Sequence, residues 1–222
     1  MRAVRLWIKK EGRAKYISHL DMNRCFTRAV RRAGLNLWYT EGFNPHPYLN
    51  FLTPLSLGQE SDGEPLDIRI EDDMPDAEIQ RRMNAVLPEG ISVVRVHEAQ
   101  SKAAQIAFAR YSIAVDLDSA AAAERFCAEA GALLRSGELT AEKTGKQGRR
   151  KVTKQVQICD KVREAAFRTD GTCAMLEAVL QSGNEPLNPA LLVDALQKAI
   201  GTQGLVRIRR RAFYDADMHP FV

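Results

Sequence analysis

The chain begins with apolar and polar residues that alternate over positions 3–9, which is the period of a β-strand. Between Ser18 and Gly34 the apolar residues recur every three or four positions, which predicts a helix. Ser18 is a favoured N-cap, Asp21 follows at the spacing of a capping box, and Gly34 suits the position after the helix end. The side of this helix that faces away from its apolar residues carries Arg24, Arg28, Arg31 and Arg32.

The remainder of the first half returns to the strand period and then to the helical one. Strands are predicted over residues 35–40, 65–71 and 91–96. A second helix begins at Pro75 and is stopped by Pro88. The expected order of elements over this half is therefore β, α, β, β, α, β.

Residues 99–108 form an Ala-rich connector, where we predict the boundary between a domain of residues 1–100 and one of residues 107–222. Beyond it, strands are predicted over 110–117, 152–158 and 205–214, helices over 119–134 and 190–200, and a mobile polar loop over 136–150. Residues 173–181 fit either a helix or a strand, and the turn that precedes them favours a strand. We expect an α+β fold of two tandem ferredoxin-like halves, each βαββαβ with an antiparallel sheet and its helices on one face.

The composition is that of an ordinary globular chain of 222 residues with a formal net charge of +4. Such a charge permits an anionic partner without requiring one. The four cysteines are far apart and lack the spacing of a zinc or iron–sulfur site, so we predict reduced thiols and no metal or cofactor. No apolar run fits a signal peptide or a membrane span, which predicts a cytoplasmic protein without membrane contact.

Three basic regions of the sequence suit contact with phosphate groups. The first is the arginine side of the first helix, and the second runs from Lys143 to Arg163. In the second region the expected contacts are Arg149, Arg150 and Lys151. In the third region, arginines alternate on the last strand and so point to one face of the sheet, namely Arg207, Arg209 and Arg211. Each region alone is also typical of a solvated surface, but together they predict RNA binding.

His46 lies in the sequence GFNPHP, where two prolines fix the loop. Histidine is a general acid or base near neutral pH, which makes His46 the candidate catalytic residue. The alternative is a loop histidine that only makes local hydrogen bonds. The expected substrate- or RNA-binding residues near it are Ser18, His19, Asp21 and Asn44. Two histidines and Asp21 could bind a metal, but their spacing is not diagnostic, and no metal is predicted.

A set of short motifs in a fixed order gives the chain a family resemblance. These are Gly12, Ser18-His19-Leu20-Asp21, Arg31–Gly34, Gly42–Pro47, Pro54–Gly58 and Glu60–Ile68. Over about residues 2–95 the chain resembles the radical-SAM-linked bacterial family of unknown function. The resemblance implies association with a radical SAM protein. Genes of the family that it resembles often lie beside ribonuclease G/E-type genes. The chain lacks the CxxxCxxC motif of a radical SAM enzyme, so it would be that enzyme's partner.

These observations lead to one main hypothesis and two alternatives, and they leave open whether the protein is an enzyme. The main hypothesis is an RNA-binding accessory protein that works with a radical SAM enzyme in modification or maturation of tRNA or rRNA. The first alternative is a metal-independent RNA-processing endonuclease that uses His46. The second is a module that docks on the radical SAM partner without touching RNA.

Overall fold

In the computed structural model the described residues are 1–147 and 150–222, and for residues 143–147 and 150–154 only the backbone is described. The chain divides into two compact units. Unit 1 contains Met1–Gln105 together with Arg210–Ala212 and Pro220–Val222, and unit 2 contains Ile106–Arg209 and Phe213–His219. Two short C-terminal segments thus belong with the N-terminal half of the chain.

Unit 1 has the element order expected from the sequence. Its elements are β1 (Arg2–Lys10), α1 (His19–Arg32), β2 (Leu49–Phe51), β3 (Glu60–Ile70), α2 (Asp76–Val86) and β4 (Ile91–Glu98). The strands lie in the order β4–β1–β3–β2, and the pairs are antiparallel.

The second strand of unit 1 is not where the sequence placed it, because residues 35–40 form no strand. The Trp38 backbone donates a hydrogen bond to the Arg69 carbonyl (2.9 Å) and accepts one from the Tyr48 N–H (3.0 Å). The segment pairs with each neighbour through one isolated bridge, Leu37 opposite Ile70 and Tyr39 opposite Pro47, so a continuous ladder does not form. The strand that pairs with β3 is Leu49–Phe51 instead.

The two faces of the unit 1 sheet differ in character. Leu66, Ile68 and Ile70 of β3 are fully buried and join the apolar side of α1 in the core. Because strand side chains alternate, Asp67 lies on the face away from the helices. There the buried Arg5 donates two hydrogen bonds to the Asp67 carboxylate, with Nε–Oδ1 at 2.7 Å and Nη2–Oδ2 at 3.0 Å.

Unit 2 also combines helices with an antiparallel sheet. Its elements are β5 (Phe108–Asp116), α3 (Ala120–Ser136), β6 (Thr140–Gln147), β7 (Arg150–Gln157), β8 (Val162–Asp170), β9 (Cys173–Gln181), α4 (Pro189–Ile200) and β10 (Leu205–Tyr214). The main sheet has the order β10–β5–β9–β8, and β6 and β7 form a separate two-stranded sheet.

The prediction of a polar loop over residues 136–150 is wrong, because most of that segment is strand β6. It pairs with β7 from Thr140 opposite Gln157 onward. Leu139 and Ala141 are buried at the base of this hairpin. Strands are predicted from the alternation of apolar and polar residues, and the mostly polar sequence of β6 lacks this alternation. Backbone pairing with β7 supports the strand instead.

The predicted α+β class and the antiparallel sheets are confirmed, whereas the tandem ferredoxin-like arrangement stays a prediction. Within the described part of the chain, every helix is too short or too polar to cross a membrane.

Candidate anion-binding groove

The outer side of α1 forms one wall of an open groove of about 780 Å³ in unit 1. The groove is lined by Asp21, Arg24, Cys25, Arg28, Arg31, Arg32, Val86 and Pro88. Four arginines and one carboxylate line it, so its local charge is strongly positive. Four of the residues predicted to bind substrate or RNA are thereby brought to one surface, namely Asp21, Arg24, Arg28 and Arg31.

The helix that presents these arginines begins as the sequence predicted. The Ser18 hydroxyl accepts a hydrogen bond from the Asp21 N–H at 3.1 Å, which satisfies one of the free donors of the first turn. The same hydroxyl donates to the Asp21 carboxylate at 2.7 Å. This hydrogen bond and the adjacent Arg24 hold the pKa of Asp21 below its usual value, so Asp21 is ionised at neutral pH.

The groove arginines differ in how many contacts their guanidinium groups make with other groups of the protein. Arg24 contacts Asp21 at 3.2 Å in an exposed ion pair. Arg31 donates from Nε to the Tyr39 hydroxyl at 3.3 Å, and Arg32 donates to the Val86 carbonyl at 2.7 Å. These contacts orient the guanidinium groups but neutralise only one of them.

Arg28 lies in the middle of the row and is exposed. Among the residues that the structure describes, it has no hydrogen-bond or ion-pair partner. A guanidinium group carries five N–H donors in a planar fork that matches the oxygens of phosphate. Arg28 is therefore the residue with most unused donor capacity in the groove.

Cys25 lines the groove beside these arginines and is half-buried. Burial raises the pKa of its thiol, and the positive charges of Arg32 and Arg28 oppose that rise only in part. The thiol is therefore protonated at neutral pH, and the groove contributes an anion-binding surface without a reactive thiolate.

The loop that carries His46 is held by contacts between its own residues. His46 is exposed, and its Nδ1 lies 3.1 Å from the Thr40 hydroxyl and 3.1 Å from the Asn44 carbonyl oxygen. Asn44 is exposed in the same loop. His19, in the first turn of α1, lies 3.0 Å from the Asn23 amide through its Nε2. Both histidines are thus engaged by neutral groups close in sequence.

The described residues contain one group of three side chains close enough to share a metal ion, namely Asp215, Asp217 and His219. It lies in unit 2 and does not include His19 or His46.

The arginines of β10 have acidic neighbours. Arg207 pairs with Asp116 at 2.7 Å, and Arg211 pairs with Asp62 at 2.8 Å. Arg209, which lies between them in sequence, also has an interaction partner. Of the other predicted basic contacts, Arg149 and the side chains of Arg150 and Lys151 lie outside the described residues.

Sequence reasoning missed a buried charged cluster in unit 1. The nearly buried Arg210 donates from Nε to the Glu64 carboxylate at 2.8 Å, and a second guanidinium nitrogen also bonds that carboxylate. Arg210 further donates to the Thr53 carbonyl at 2.8 Å. Lys10 is buried and donates to the Ile17 carbonyl, and burial lowers its pKa. Alternation on β10 gave a signal, since it places Arg210 on the side opposite Arg209 and Arg211.

Comparison with known proteins gives a family and a fold relationship. Residues 3–189 match the family described as "Uncharacterized protein conserved in bacteria" (DUF2344). No curated protein matches the chain.

Among solved structures, the chain is similar to one chain in the crystal structure of a Cbf5-Nop10-Gar1 complex. The identity is 8% and the TM-score 0.52, with 95% of this chain and 48% of that chain covered. This chain thus spans about half the length of the solved relative, and at that identity the likeness concerns the fold alone. An unknown protein from Galdieria sulphuraria is 12% identical over 94% of this chain and 96% of its own, with a TM-score of 0.25.

Proposed function

The chain belongs to the DUF2344 family of uncharacterized bacterial proteins, and we propose that it is an RNA-binding accessory protein whose α1 groove holds the phosphate backbone. The observation that carries this proposal is the groove itself, with four arginines and a single carboxylate along one helix. Arginine binds phosphate with two parallel hydrogen bonds, and such charge-assisted bonds are about twice as strong as neutral ones.

The spacing of the arginines favours a polymer over a single small anion. Arg24, Arg28 and Arg31 follow one another by one helical turn, so the row extends over about 10 Å along the axis. One phosphate group would occupy part of that row. A nucleic-acid strand offers several phosphates in succession and would engage the whole row.

A radical SAM enzyme is the proposed partner, and the support for it is the family resemblance in the N-terminal motifs. Within this proposal the protein binds tRNA or rRNA and presents it to the enzyme for modification or maturation. The hydrogen bonds of the His46 ring to Thr40 and Asn44 serve the loop geometry, so the endonuclease alternative receives less support than the binding role.

The proposal includes a ferredoxin-like arrangement for each unit. The order β4–β1–β3–β2 in unit 1 supports it, since these are the fourth, first, third and second strands in sequence. In unit 2 the order β10–β5–β9–β8 has the same form if the β6–β7 hairpin counts as an insertion. Such a sheet leaves one face without helices, which is where RNA-binding domains of this shape contact bases.

A salt titration of RNA binding tests the proposal. We expect the affinity for a labelled single-stranded RNA to fall linearly on a double-logarithmic plot as salt rises, with a slope of about −0.7 for each phosphate contact. Arg28→Gln should weaken binding to all sequences alike and make the slope shallower by about 0.7, the value for one phosphate contact. Fluorescence anisotropy over about 50 to 200 mM salt measures both quantities.

The matched control is Arg168→Gln, which removes the same charge from an exposed position on β8 in unit 2. It should leave the affinity and the slope nearly unchanged. The groove assignment is wrong if the two variants behave alike. The RNA-binding proposal as a whole fails if the wild-type protein binds no RNA, or binds it with an affinity that salt does not change.

A further inference from the structure

The face of the unit 1 sheet that lies away from the helices carries an aromatic cluster at its β2 end. The guanidinium carbon of Arg69 lies 4.9 Å from the centre of the Trp38 ring and 4.7 Å from that of Tyr48. The two rings are 6.1 Å apart and tilted by 57°. All three side chains are half-buried, so each keeps part of its surface in solvent. We call these three residues the aromatic platform.

Strand alternation accounts for the position of the platform. Ile68 and Ile70 of β3 point into the core, so Arg69 between them points to the opposite face. Trp38 follows the buried Leu37, and it reaches the same face as Arg69. Asn50 of β2 lies opposite Asp67 in the register and is exposed, which adds an amide group at the edge of the platform.

The same sheet face has a closed part and an open part. In the closed part, the Trp7 indole donates to His97 at 2.7 Å, and Phe221 lies over Arg5 with the guanidinium carbon 4.7 Å from the ring centre. In the open part, the Trp38 indole N–H, the Tyr48 hydroxyl and the Arg69 guanidinium have no hydrogen-bond partner in the described part of the chain. Of the two tryptophans, Trp7 therefore has its indole N–H bonded within the protein, whereas Trp38 keeps its indole N–H available.

We propose that the aromatic platform is a binding site for an unpaired nucleobase, with guanine the preferred base. This extends the proposed RNA binding from the backbone to the bases and rests on that function for its biological meaning. Base stacking on aromatic side chains is how single-stranded nucleic acid is commonly held. The free edge of Arg69 would donate two hydrogen bonds to the O6 and N7 acceptors of guanine, the commonest base contact of arginine.

The charge of the platform selects against other occupants of an aromatic surface. Aromatic clusters also bind cations, such as methylated lysine or choline. Here Arg69 already lies over one face of each ring, and its positive charge repels a second cation. A planar ligand rich in hydrogen-bond acceptors fits the remaining surface, and a nucleobase has this chemistry.

Adjacent residues connect the platform to the groove. Trp38 contacts Arg69 on the open face, whereas the next residue, Tyr39, turns to the other side, where its hydroxyl accepts a hydrogen bond from Arg31 at 3.3 Å. An RNA strand that leaves the groove at Arg31 would first meet Tyr39, whose sequence neighbour is Trp38. Both surfaces lie within unit 1.

Titration with guanosine 5′-monophosphate tests the inference without requiring RNA binding. The chain has two tryptophans, so a ¹⁵N-labelled sample gives two indole N–H signals, and Trp38→Phe identifies one of them. We expect the nucleotide to shift the Trp38 signal and to leave that of Trp7 unchanged. Inorganic phosphate at the same concentration should shift neither signal. No shift at Trp38, or an equal shift with phosphate, overturns the inference.

A second experiment uses single-stranded RNA and separates the platform from the groove. Trp38→Leu and Arg69→Gln should each weaken binding of a guanine-containing RNA about 5- to 150-fold, the range for loss of one stacked base or one bidentate base contact. Trp38→Leu removes no charge and should leave the salt slope unchanged, unlike Arg28→Gln. Phe43→Leu, at a fully exposed aromatic residue in the 40–47 loop, is the control and should have little effect.

The two proposals can fail separately. If guanosine monophosphate shifts the Trp38 signal while RNA binding ignores salt, the platform stands and the groove proposal fails. If RNA binding is steeply salt-dependent but insensitive to Trp38→Leu and Arg69→Gln, the groove stands and the platform inference is wrong. Circular dichroism of each variant checks that the fold is intact.

Discussion

The α1 helix and the β10 strand both carry a row of arginines, yet the fold gives the two rows different surroundings. On α1, four arginines share the groove with one carboxylate, Asp21. On β10, Arg207, Arg210 and Arg211 each meet a carboxylate of their own, respectively Asp116, Glu64 and Asp62. The α1 row therefore keeps a surplus of positive charge that the β10 row largely loses.

This difference shows why counting basic residues is a weak guide to a phosphate-binding surface. An arginine already paired with a carboxylate must give up that contact, or share it, before it binds phosphate. The α1 arginines lie on a helix whose neighbours at the groove, Val86 and Pro88, are apolar. The acidic partners of β10 come instead from distant positions in the chain.

The largest expected effect concerns the buried arginine of β10. Glu64→Gln should lower the free energy of unfolding by about 3–5 kcal/mol, because it leaves the charge of Arg210 buried without its partner. Only 6% of the Arg210 side chain and 5% of the Glu64 side chain are exposed. Urea denaturation measures the change. The control Asp62→Asn breaks the more exposed pair with Arg211 and should lower the free energy of unfolding by under about 1 kcal/mol. Equal losses in both variants would contradict the larger role of the buried pair.

The next effect compares the two rows directly in RNA binding. Replacing Arg24, Arg28 and Arg31 together by glutamine should weaken RNA binding about 10-fold or more and remove most of its salt dependence. Replacing Arg207 and Arg211 by glutamine should change the affinity by less than about 3-fold, because their carboxylate partners already offset their charge. Anisotropy titrations at one salt concentration measure both variants. A greater loss in the β10 variant would reverse the proposed ranking of the two rows.

The smallest effect is the pH dependence of an exposed β10 pair. The hydrogen bond from Arg207 holds the pKa of Asp116 below its usual value. The stabilisation is then complete above the unfolded-state pKa of about 4 and is lost as the pH falls through the lower folded-state value. Since both side chains are at least a third exposed, its size should be under about 1 kcal/mol.

Urea denaturation of wild type and Asp116→Asn from neutral to acidic pH measures this term. The difference in unfolding free energy between the two proteins should be constant near neutrality and shrink towards zero in acid. A difference that does not change with pH would mean that the charge of Asp116 contributes nothing to stability.

Sequence patterns gave the elements with strong periodicity correctly. The Ser18 cap, the two-sided α1 helix and the closing strand Leu205–Tyr214 all appear in the structure. The patterns failed where the backbone decided the outcome without help from apolar alternation. Residues 35–40 have strand-like side chains but form only isolated bridges to their neighbours. Strand β6 has polar side chains but a continuous ladder with β7.

The candidate site was only partly predictable for a related reason. The arginine side of α1 follows from helical spacing alone, since residues three and four apart lie on one face. The sequence analysis identified no aromatic stacking platform. Its members, Trp38, Tyr48 and Arg69, come from three separate segments that meet only when β3 passes beside the 37–48 region.

The sequence by itself determined the α+β class, the helix that carries the arginines and the absence of a radical SAM cluster motif, because these depend on local spacing. Only the tertiary structure decided which arginines keep their charge available. Asp116 is 91 positions from Arg207, and Glu64 is 146 positions from Arg210. Electrostatic pairing depends on distance in space, and sheet topology sets that distance without leaving a trace in local sequence.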